Sequence, residues 1–573
     1  MSEHQSAAKQ ALLAEAAAEL GGNASIGDPV NYVRSYYRHV DATDLLNAGQ
    51  KRTGVVAAEH AELAAHRPQG RALVKVRAGA EATLLPSRDV IDVVTDDMPF
   101  LVDTITMTLA THDVTPELVV HPQLVVRRDV TGTLHEVLEP IEGPHRMSQR
   151  RDPRGRPGGS MPAEPDQIAE SWSHIEVARL TAEKAEAIAA ALDRGLADVR
   201  MAVEDYPKMR AVAVRLADQL AAEAAADWEA GGAGTEAQLD IPESPAEITE
   251  LLRWLVDAHF TFLGYREYDL VTEDDGLALR GVPGTGLGIL RHDKTSSSVL
   301  PPQARELATD PARRLIVTKA NTRATVHRSS YLDYVGVKRI GPAGQVTGEY
   351  RLLGLFTHMA YTESITRIPV LKRKLAAVFA ASGVSAESHD GRDVAEFMEV
   401  YPREELFLTP VGELADVASQ VLRLRERMQT RLFMRKDVYG KYVSCLIYLS
   451  RDRYNTKVRL AVQDILRRKL GGGQLDYSAV VGETPIARLH VVVRADHGGK
   501  LNDVDVSKLE QAVAAAVRSW DDDLVREAVN QLGEGPGRAL LAEFAGSIGD
   551  TYKADVPAAA AVSDLAKILR MRD

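Results

Sequence analysis

Apolar and polar positions change their period several times along this chain, and each change marks an element. Val90, Ile91, Val93 and Val94 form a short apolar run of the kind a central strand shows. Pro99 can open a helix at its first turn, and Leu101, Ile105, Thr108 and Leu109 then recur at helical spacing. Residues 118–120 and 124–126 read as one strand broken at His121-Pro122. Residues 134–138 pair back across a turn at Gly132, residues 171–178 alternate, and a helix follows over 181–192. This order predicts an antiparallel sheet covered by helices on one face. The order returns at residues 441–517. There a strand over 442–449, apolar on both faces, precedes a helix over 455–470 stopped by Gly471, Gly472 and Gly473. Strands over 477–481 and 487–493 and a helix over 501–517 complete it.

Between these stretches the pattern predicts other bodies. Residues 1–25 read as a frayed or helical tail. Tyr32 and Tyr36, four apart, share a face of a docking helix. A linker over 231–245 sets a domain boundary. Hairpin signals then run from Phe260 to Phe356, with strands expected over 260–270, 277–280, 288–290, 315–319, 325–327, 331–340 and 348–356. Helices follow over 369–379 and 411–431, the second with Leu414, Val417, Val421, Leu424 and Met428 on one face. Short helices close the chain, which stops at Asp573 without a cap, as a cut would leave it. The expected organisation is a helical segment over 1–70 and a sheet domain with helices over 71–230. An antiparallel domain covers 246–330, a further sheet unit with a long helix 331–432, a third unit 433–520, and a helical linker 521–573.

Composition narrows the function classes. The 573 residues hold 69 Lys and Arg against 81 Asp and Glu, a formal charge of -12, so general nucleic-acid binding is not expected. The arginines at 146, 150, 151, 154 and 156 lie in a Gly- and Pro-rich stretch with no interleaved aromatics, which reads as an exposed loop. Cys445 is the single cysteine, which excludes internal disulfides and cysteine-rich metal sites and fits a reducing cytoplasm. No apolar run reaches membrane-spanning length, and the opening residues do not form a signal peptide.

Candidate chemistry is sparse. Gly284-Thr285-Gly286 resembles the start of a dinucleotide loop, but the residues after it read as a strand rather than a helix, so a glycine turn in a sheet is expected. His60 and His66 lack ligand spacing, and His174 and Glu176 share a strand face as a polar pair. Two strand-to-helix junctions hold the remaining chemistry. Arg451, Asp452, Arg453 and Asn455 join a central strand to a helix, where free N–H groups of the first turn suit a carboxylate or phosphate. Asp452 or Asn455 could equally be plain caps. Asp96 and Asp97 stand at the other junction, where their charge favours the helix dipole but repels an anion. No catalytic, cofactor-binding or metal-ligating residue is assigned.

Several ordered motifs carry a family resemblance. They are Met98-Pro99-Phe100-Leu101-Val102-Asp103, Ser171-Trp172-Ser173-His174-Ile175, Phe262-Leu263-Gly264-Tyr265-Arg266 and Gly286-Leu287-Gly288-Ile289-Leu290. Further on come Leu352-Leu353-Gly354-Leu355-Phe356-Thr357, Ile368-Pro369, Phe433-Met434-Arg435-Lys436-Asp437 and Arg451-Asp452-Arg453-Tyr454-Asn455-Thr456. From about residue 25 onward the chain resembles the N-terminal portion of the large bacterial NAD-dependent glutamate dehydrogenases. The resemblance implies an α+β architecture of several ACT-like domains, ferredoxin-like βαββαβ units often used to sense amino acids, joined by helical linkers. It places such units near 89–192 and 441–517, with a third between 330 and 430. It also implies a parent enzyme that converts L-glutamate, NAD+ and water to 2-oxoglutarate, ammonium and NADH, with its dehydrogenase domain further downstream. This chain lacks that region's catalytic lysines and nucleotide-binding glycine loop, so it is expected to be inactive alone and to hold no cofactor. A cytoplasmic regulatory and oligomer-building region that binds a small amino-acid effector is the first expectation; a structural scaffold without a ligand is the alternative. Three sheet units would leave one without an internal mate, which predicts a contact with a second copy.

Overall fold

The structure is a computed structural model that describes residues 3–20, 24–79, 87–138, 167–229, 243–293, 297–427, 429–482, 484–496, 499–544 and 546–572. The arginine-rich stretch and the linker expected after residue 230 fall almost wholly outside them. Two compact units result, one from residues 1–235, 242–299 and 309–370 and the other mainly from 371–573.

The first unit opens with helices α1 (Glu3–Ala16), α2 (Pro29–Tyr36), α3 (Ala42–Ala48) and α4 (Gln50–Ala64). Asp28 and Asp41 cap α2 and α3 by accepting from Val30 and Thr43 N–H groups. Next come β1 (Leu73–Arg77), β2 (Arg88–Asp96), α5 (Leu101–Thr111), β3 (Pro116–Val120), β4 (Gln123–Arg128), β5 (Leu134–Leu138), β6 (Gln167–Ala178) and α6 (Ala182–Glu229). The sheet runs β1-β2-β6-β4-β5, with β3 also on β6, and its ladders are antiparallel. The strand break expected at His121-Pro122 separates β3 from β4. This is a βαββαβ arrangement whose closing strand comes first: β1 precedes β2 in the chain and takes the edge beside it.

Alternation sorts the sheet's two faces. Ile91, Val93, Ile175 and Val177 point to α5 and α6 and pack with Ile105, Leu109, Ile188 and Leu192. Val94 and Trp172 point the other way, onto Tyr32, Tyr36, Val56 and Ala57 of the opening helices. Residues 1–25 were expected as a tail, yet Leu13 and Ala16 are fully buried in that same core. Burial of an apolar stripe, at roughly 25 cal/mol per Å², holds a short helix that propensity alone would leave frayed.

A second sheet completes this unit, its chain passing through residues 300–308, which fall in the other unit. After α7 (Pro245–Trp254), which starts in a Ser244–Glu247 capping box, come β7 (Phe260–Glu273), β8 (Gly276–Gly281), β9 (Leu287–Gly288), β10 (Ser297–Val299), α8 (Pro302–Thr309), β11 (Leu315–Arg323), β12 (Tyr331–Ile340) and β13 (Val346–Phe356). Their order is β10-β8-β7-β13-β12-β11, with β9 on β7. Leu263, Ala320, Leu332, Leu353 and Leu355 share one core with α5, α6 and the first sheet, so the two helices are buried between two sheets. Two expectations need correcting here. Residues 325–327 form a bend rather than a strand, closed by Ala324 N–H donating to Ser330 C=O. Residues 331–432 hold no βαββαβ unit, because β13 pairs with β7 along Gly348–Phe356 and draws β12 into the same sheet. The rest of that span is helical: α9 (His358–Thr362), α10 (Leu371–Ser382), α11 (His389–Val400), α12 (Arg403–Leu408) and α13 (Val411–Arg427).

The second unit repeats the permuted arrangement with β14 (Arg431–Lys436), β15 (Tyr442–Ser450), α14 (Thr456–Leu470), β16 (Gln474–Val480), β17 (Ile486–Arg494) and α15 (Val506–Val517). The sheet runs β14-β15-β17-β16, all antiparallel, so here too the leading strand sits beside the first. Val443, Cys445, Ile447 and Leu449 meet Val462, Leu466, Leu509 and Val513 of the helices. The opposite face, expected to await another sheet, is covered by the chain's own helices. Phe397 lies 6.4 Å from the Tyr448 ring, and Glu405 takes two hydrogen bonds from Arg435. α16 (Trp520–Leu532), α17 (Glu534–Phe544), α18 (Asp550–Asp555) and α19 (Ala558–Arg572) then pack around Leu524, Ala528, Leu540 and Val562.

Candidate functional site

The two junctions singled out in the sequence follow topologically equivalent strands, β2 and β15, yet they are built differently. At the first, Asp96 is ion-paired at 2.5 Å to both Arg67 and Arg200. Asp97 donates its N–H to Ala169 C=O, and its carboxylate accepts from Gln123 Nε2 at 3.2 Å. Burial pushes the Asp97 carboxyl up to about 6. Phe100, at φ 73, precedes α5 in the left-handed region and packs against His327, also at φ 73, with ring centroids 5.0 Å apart and the planes tilted by 48°. His327 reaches Asp103 Oδ2 through Nδ1 at 2.8 Å, and its N–H donates to Thr104 Oγ1. The first turn of α5 is therefore filled by the bend between β11 and β12. This contact explains the Met98–Asp103 motif, and nothing in the local sequence pairs it with His327.

At the second junction Ser450 leads into a 3-10 turn over Arg451–Arg453. Asn455 is the cap of α14, its Oδ1 accepting from Val458 N–H at 3.0 Å. Asp452 is exposed and does not cap. Arg451 is exposed, and its N–H donates to Pro485 C=O. Arg453 Nη2 donates to Asp522 Oδ1 at 2.8 Å, in the first turn of α16. The four residues thus come together at one exposed turn, whereas Asp96 and Asp97 are locked inside another.

The glycine motif has a packing role. Gly288 has φ 58, and an added Cβ would lie 2.1 Å from Leu263 C=O, so only glycine lets β9 approach β7. Its N–H donates to the buried Asp205 carboxylate at 3.0 Å. A protein carboxylate thus stands where a dinucleotide loop would present its amide to phosphate.

Sequence reasoning found His174 and Glu176 as a pair but missed the ionic cluster around them. His174 Nδ1 lies 2.7 Å from Asp92 Oδ1, Glu176 is held by Arg52 and Arg88, and Arg77 pairs with Asp92. Burial opposes the charge on His174, but Asp92 and Glu176 outweigh it and push the imidazole up to about 9. Burial likewise opposes charge on Asp92 and Glu176, yet their cationic partners bring both down to about 2. His60, buried beside them, is held down at about 4 by desolvation. It is therefore neutral, taking a hydrogen bond from the Tyr36 hydroxyl at Nδ1 and facing Val93 C=O through Nε2. Glu170 anchors a second cluster, accepting from Arg67, Arg128 and the Trp172 indole. These are closed structural networks whose distant partners left no local signal. Burial pushes the Cys445 thiol up to about 12, leaving it unreactive. Among the described residues no group of three His, Cys, Asp or Glu side chains could hold a metal ion, and no helix is long and apolar enough to cross a membrane.

Comparison with known proteins follows the same divisions. Residues 32–192 match the glutamate dehydrogenase ACT1 domain and residues 431–521 its ACT2 domain. Residues 368–427 match its helical motif 1 and residues 527–571 its helical motif 2. The NAD-specific glutamate dehydrogenase of Halomonas elongata is 34% identical over 491 residues, covering 83% of this chain and 28% of the relative. That of Pseudomonas aeruginosa is 32% identical over 488 residues, covering 84% and 28%. That of Mycobacterium tuberculosis is 28% identical over 536 residues, covering 91% and 30%. The chain thus spans under a third of the length of these relatives.

Proposed function

The chain belongs to the NAD-specific glutamate dehydrogenase family, and from that premise we propose that it is a regulatory and oligomer-building region, with the oxidation of glutamate performed elsewhere in a longer cytoplasmic protein. The observation that carries this reading is the succession ACT1, helical motif 1, ACT2, helical motif 2 along the chain. The effector is a small amino acid, and the turn at Arg451, Asp452, Arg453 and Asn455 is its place. Arginine at an exposed helix start suits an α-carboxylate, while Asp452 suits an α-ammonium. Asp96 and Asp97 serve as internal anchors rather than effector contacts. NAD belongs to the parent reaction and not to this region.

Titration calorimetry of the chain against a panel of amino acids tests the reading. Saturable heat that Arg451→Ala weakens at least tenfold is the expected result. Silence across the whole panel would favour the scaffold alternative. The chain mixed with glutamate and NAD+ is expected to give no NADH above background, and steady turnover proportional to protein would overturn the non-catalytic assignment.

A further inference from the structure

The face of the second sheet turned away from α14 and α15 carries three arginines and a histidine. Residues opposed across an antiparallel ladder share a face. Arg435 opposite Ser444, Arg488 opposite Tyr448, His490 opposite Leu446 and Arg494 opposite Tyr442 therefore all lie on it. The strands add one acid to this face, Asp476, opposite Val492. Glu405 answers Arg435, accepting from its Nε at 2.7 Å and its Nη2 at 2.9 Å. His490 Nε2 lies 2.9 Å from Ser444 Oγ. Arg488 is treated differently. It is 8% exposed, yet its Nε and Nη1 are buried with no hydrogen-bond partner among the described residues. The hydroxyl of Tyr448, a residue 3% exposed, equally lacks one. Burial draws the Arg488 guanidinium below its ordinary value, against the opposing pull of Tyr448, Tyr401 and Glu404. In folded proteins buried charges are normally paired and buried donors normally bonded.

The way in is from the β16 side. The cover that buries Tyr448 stops short there: Ser478 and Val480, opposite His490 and Arg488 on this same face, are exposed. We propose that Arg488 and Tyr448 form a binding site for a compact dianionic oxyanion of the phosphate class, which enters past Val480 and accepts from the guanidinium and the phenol. A guanidinium offers donors and no acceptor, and the Tyr448 hydroxyl can donate beside it, so a group with acceptor oxygens on several sides satisfies both. Arg435 and Arg494 on the same face add positive potential, which favours a doubly charged ion over a single carboxylate. The site does not use Arg451 and goes beyond the amino-acid effector placed at that turn.

Titration of the 573-residue chain with inorganic phosphate tests it. Calorimetry in a chloride background at constant ionic strength is expected to show one saturable phosphate site. Sulfate should compete for that site and acetate should not. Tyr448→Phe, which removes a single oxygen, should weaken phosphate binding at least tenfold, and Arg488→Met should abolish it. Both variants should keep the native circular dichroism, because replacing an uncompensated buried charge by an apolar side chain of similar length is tolerated. Arg451→Ala should leave phosphate affinity unchanged. No saturable phosphate heat, or a site of equal affinity in Arg488→Met, would overturn the proposal. Binding lost in Arg451→Ala but kept in Tyr448→Phe would move the anion to the exposed turn, overturning this site while sparing the effector reading. Acetate bound as tightly as phosphate would overturn the choice of a dianion. Should Arg488→Met fail to fold, Tyr448→Phe decides alone, and unchanged phosphate affinity in it overturns the site.

Discussion

In the first ACT unit the central strands β2 and β6 bring the buried acids Asp92, Glu170 and Glu176 together with Arg88 and His174, and further arginines come from around them: Arg52 on α4, Arg67 after it, Arg77 on β1 and Arg128 on β4. In the second unit the central strands bring the cations. Arg488 and Arg494 lie on β17 with His490, neither β15 nor β17 carries an acid, and Glu405 from the helical cover pairs with Arg435. One topology therefore carries buried acids on its central strands in one unit and none in the other. A helix layer evolved for one sheet would set like charges together on the other, so each cover is keyed to its own unit by electrostatics as well as by shape.

The strongest test removes an acid from the first sheet. Asp92→Ala leaves His174 and Arg77 buried without their carboxylate and should cost about 3–5 kcal/mol. Hydrogen exchange should report it in β2 and β6 while β15 and β17 stay unchanged. Equal loss in both units would show that they unfold together and that the contrast has no local meaning.

The mirror experiment is Glu405→Ala, which strands Arg435 and should destabilise the second unit by about 3 kcal/mol. Combining it with Arg435→Ala should recover part of that loss. Strict additivity in denaturant unfolding would mean that the pair is not coupled.

pH separates the units next. The folded pKa of His174, about 9, lies above its ordinary value, so its stabilisation is complete below about 6.5 and is lost as pH rises through 9. The first unit should weaken by about 3 kcal/mol at most on that alkaline limb, and His174→Gln should flatten it. His490 in the second unit and His60 in the first are both held down by burial, so their contributions have the other sign and are lost as pH falls below the ordinary histidine value. Asp92 and Glu176, held at about 2, add an acid limb to the first unit between about pH 4 and 2.

The smallest effect is expected at the open junction. Asn455→Ala removes the cap of α14 and should cost about 1 kcal/mol, seen as earlier exchange of the Val458 amide. Asp96→Ala at the closed junction should cost more, because Arg67 and Arg200 lose a shared partner.

These contrasts also mark what the sequence could carry. The apolar runs over 90–94 and 442–449 and the helical recurrences over 101–109 and 458–466 placed the two sheet units, and their common element order was legible because it is local. The glycines at 286 and 288 were read as part of a sheet from the strand that follows them. Pairing across long separations was not legible. Nothing near residue 331 reveals that β13 will lie against β7, so a boundary and a third unit were placed where one sheet continues. At the sites, Asn455 could be recognised as a cap because its partner is three residues away. Asp96 could not be recognised as an ion-paired anchor, because Arg67 and Arg200 lie far from it in sequence and only the packed sheet brings them together.

Helix α6 has a mechanical consequence. Its 48 residues make a rod of about 72 Å. Its N-terminal turns lie against the ACT1 sheet through Ile188 and Leu192, and further along Asp205 grips Gly288 of the seven-stranded sheet and Arg291 in the turn after it. Near its far end Ala217 C=O accepts from Thr249 of α7. An α-helix bends easily only where its ladder loses a rung, and Pro207 is the residue inside α6 that removes one. Up to that point the helix is a stiff shaft, so a change in the twist of the first sheet is delivered undiminished to the mouth of the second, with Pro207 as its single compliant joint.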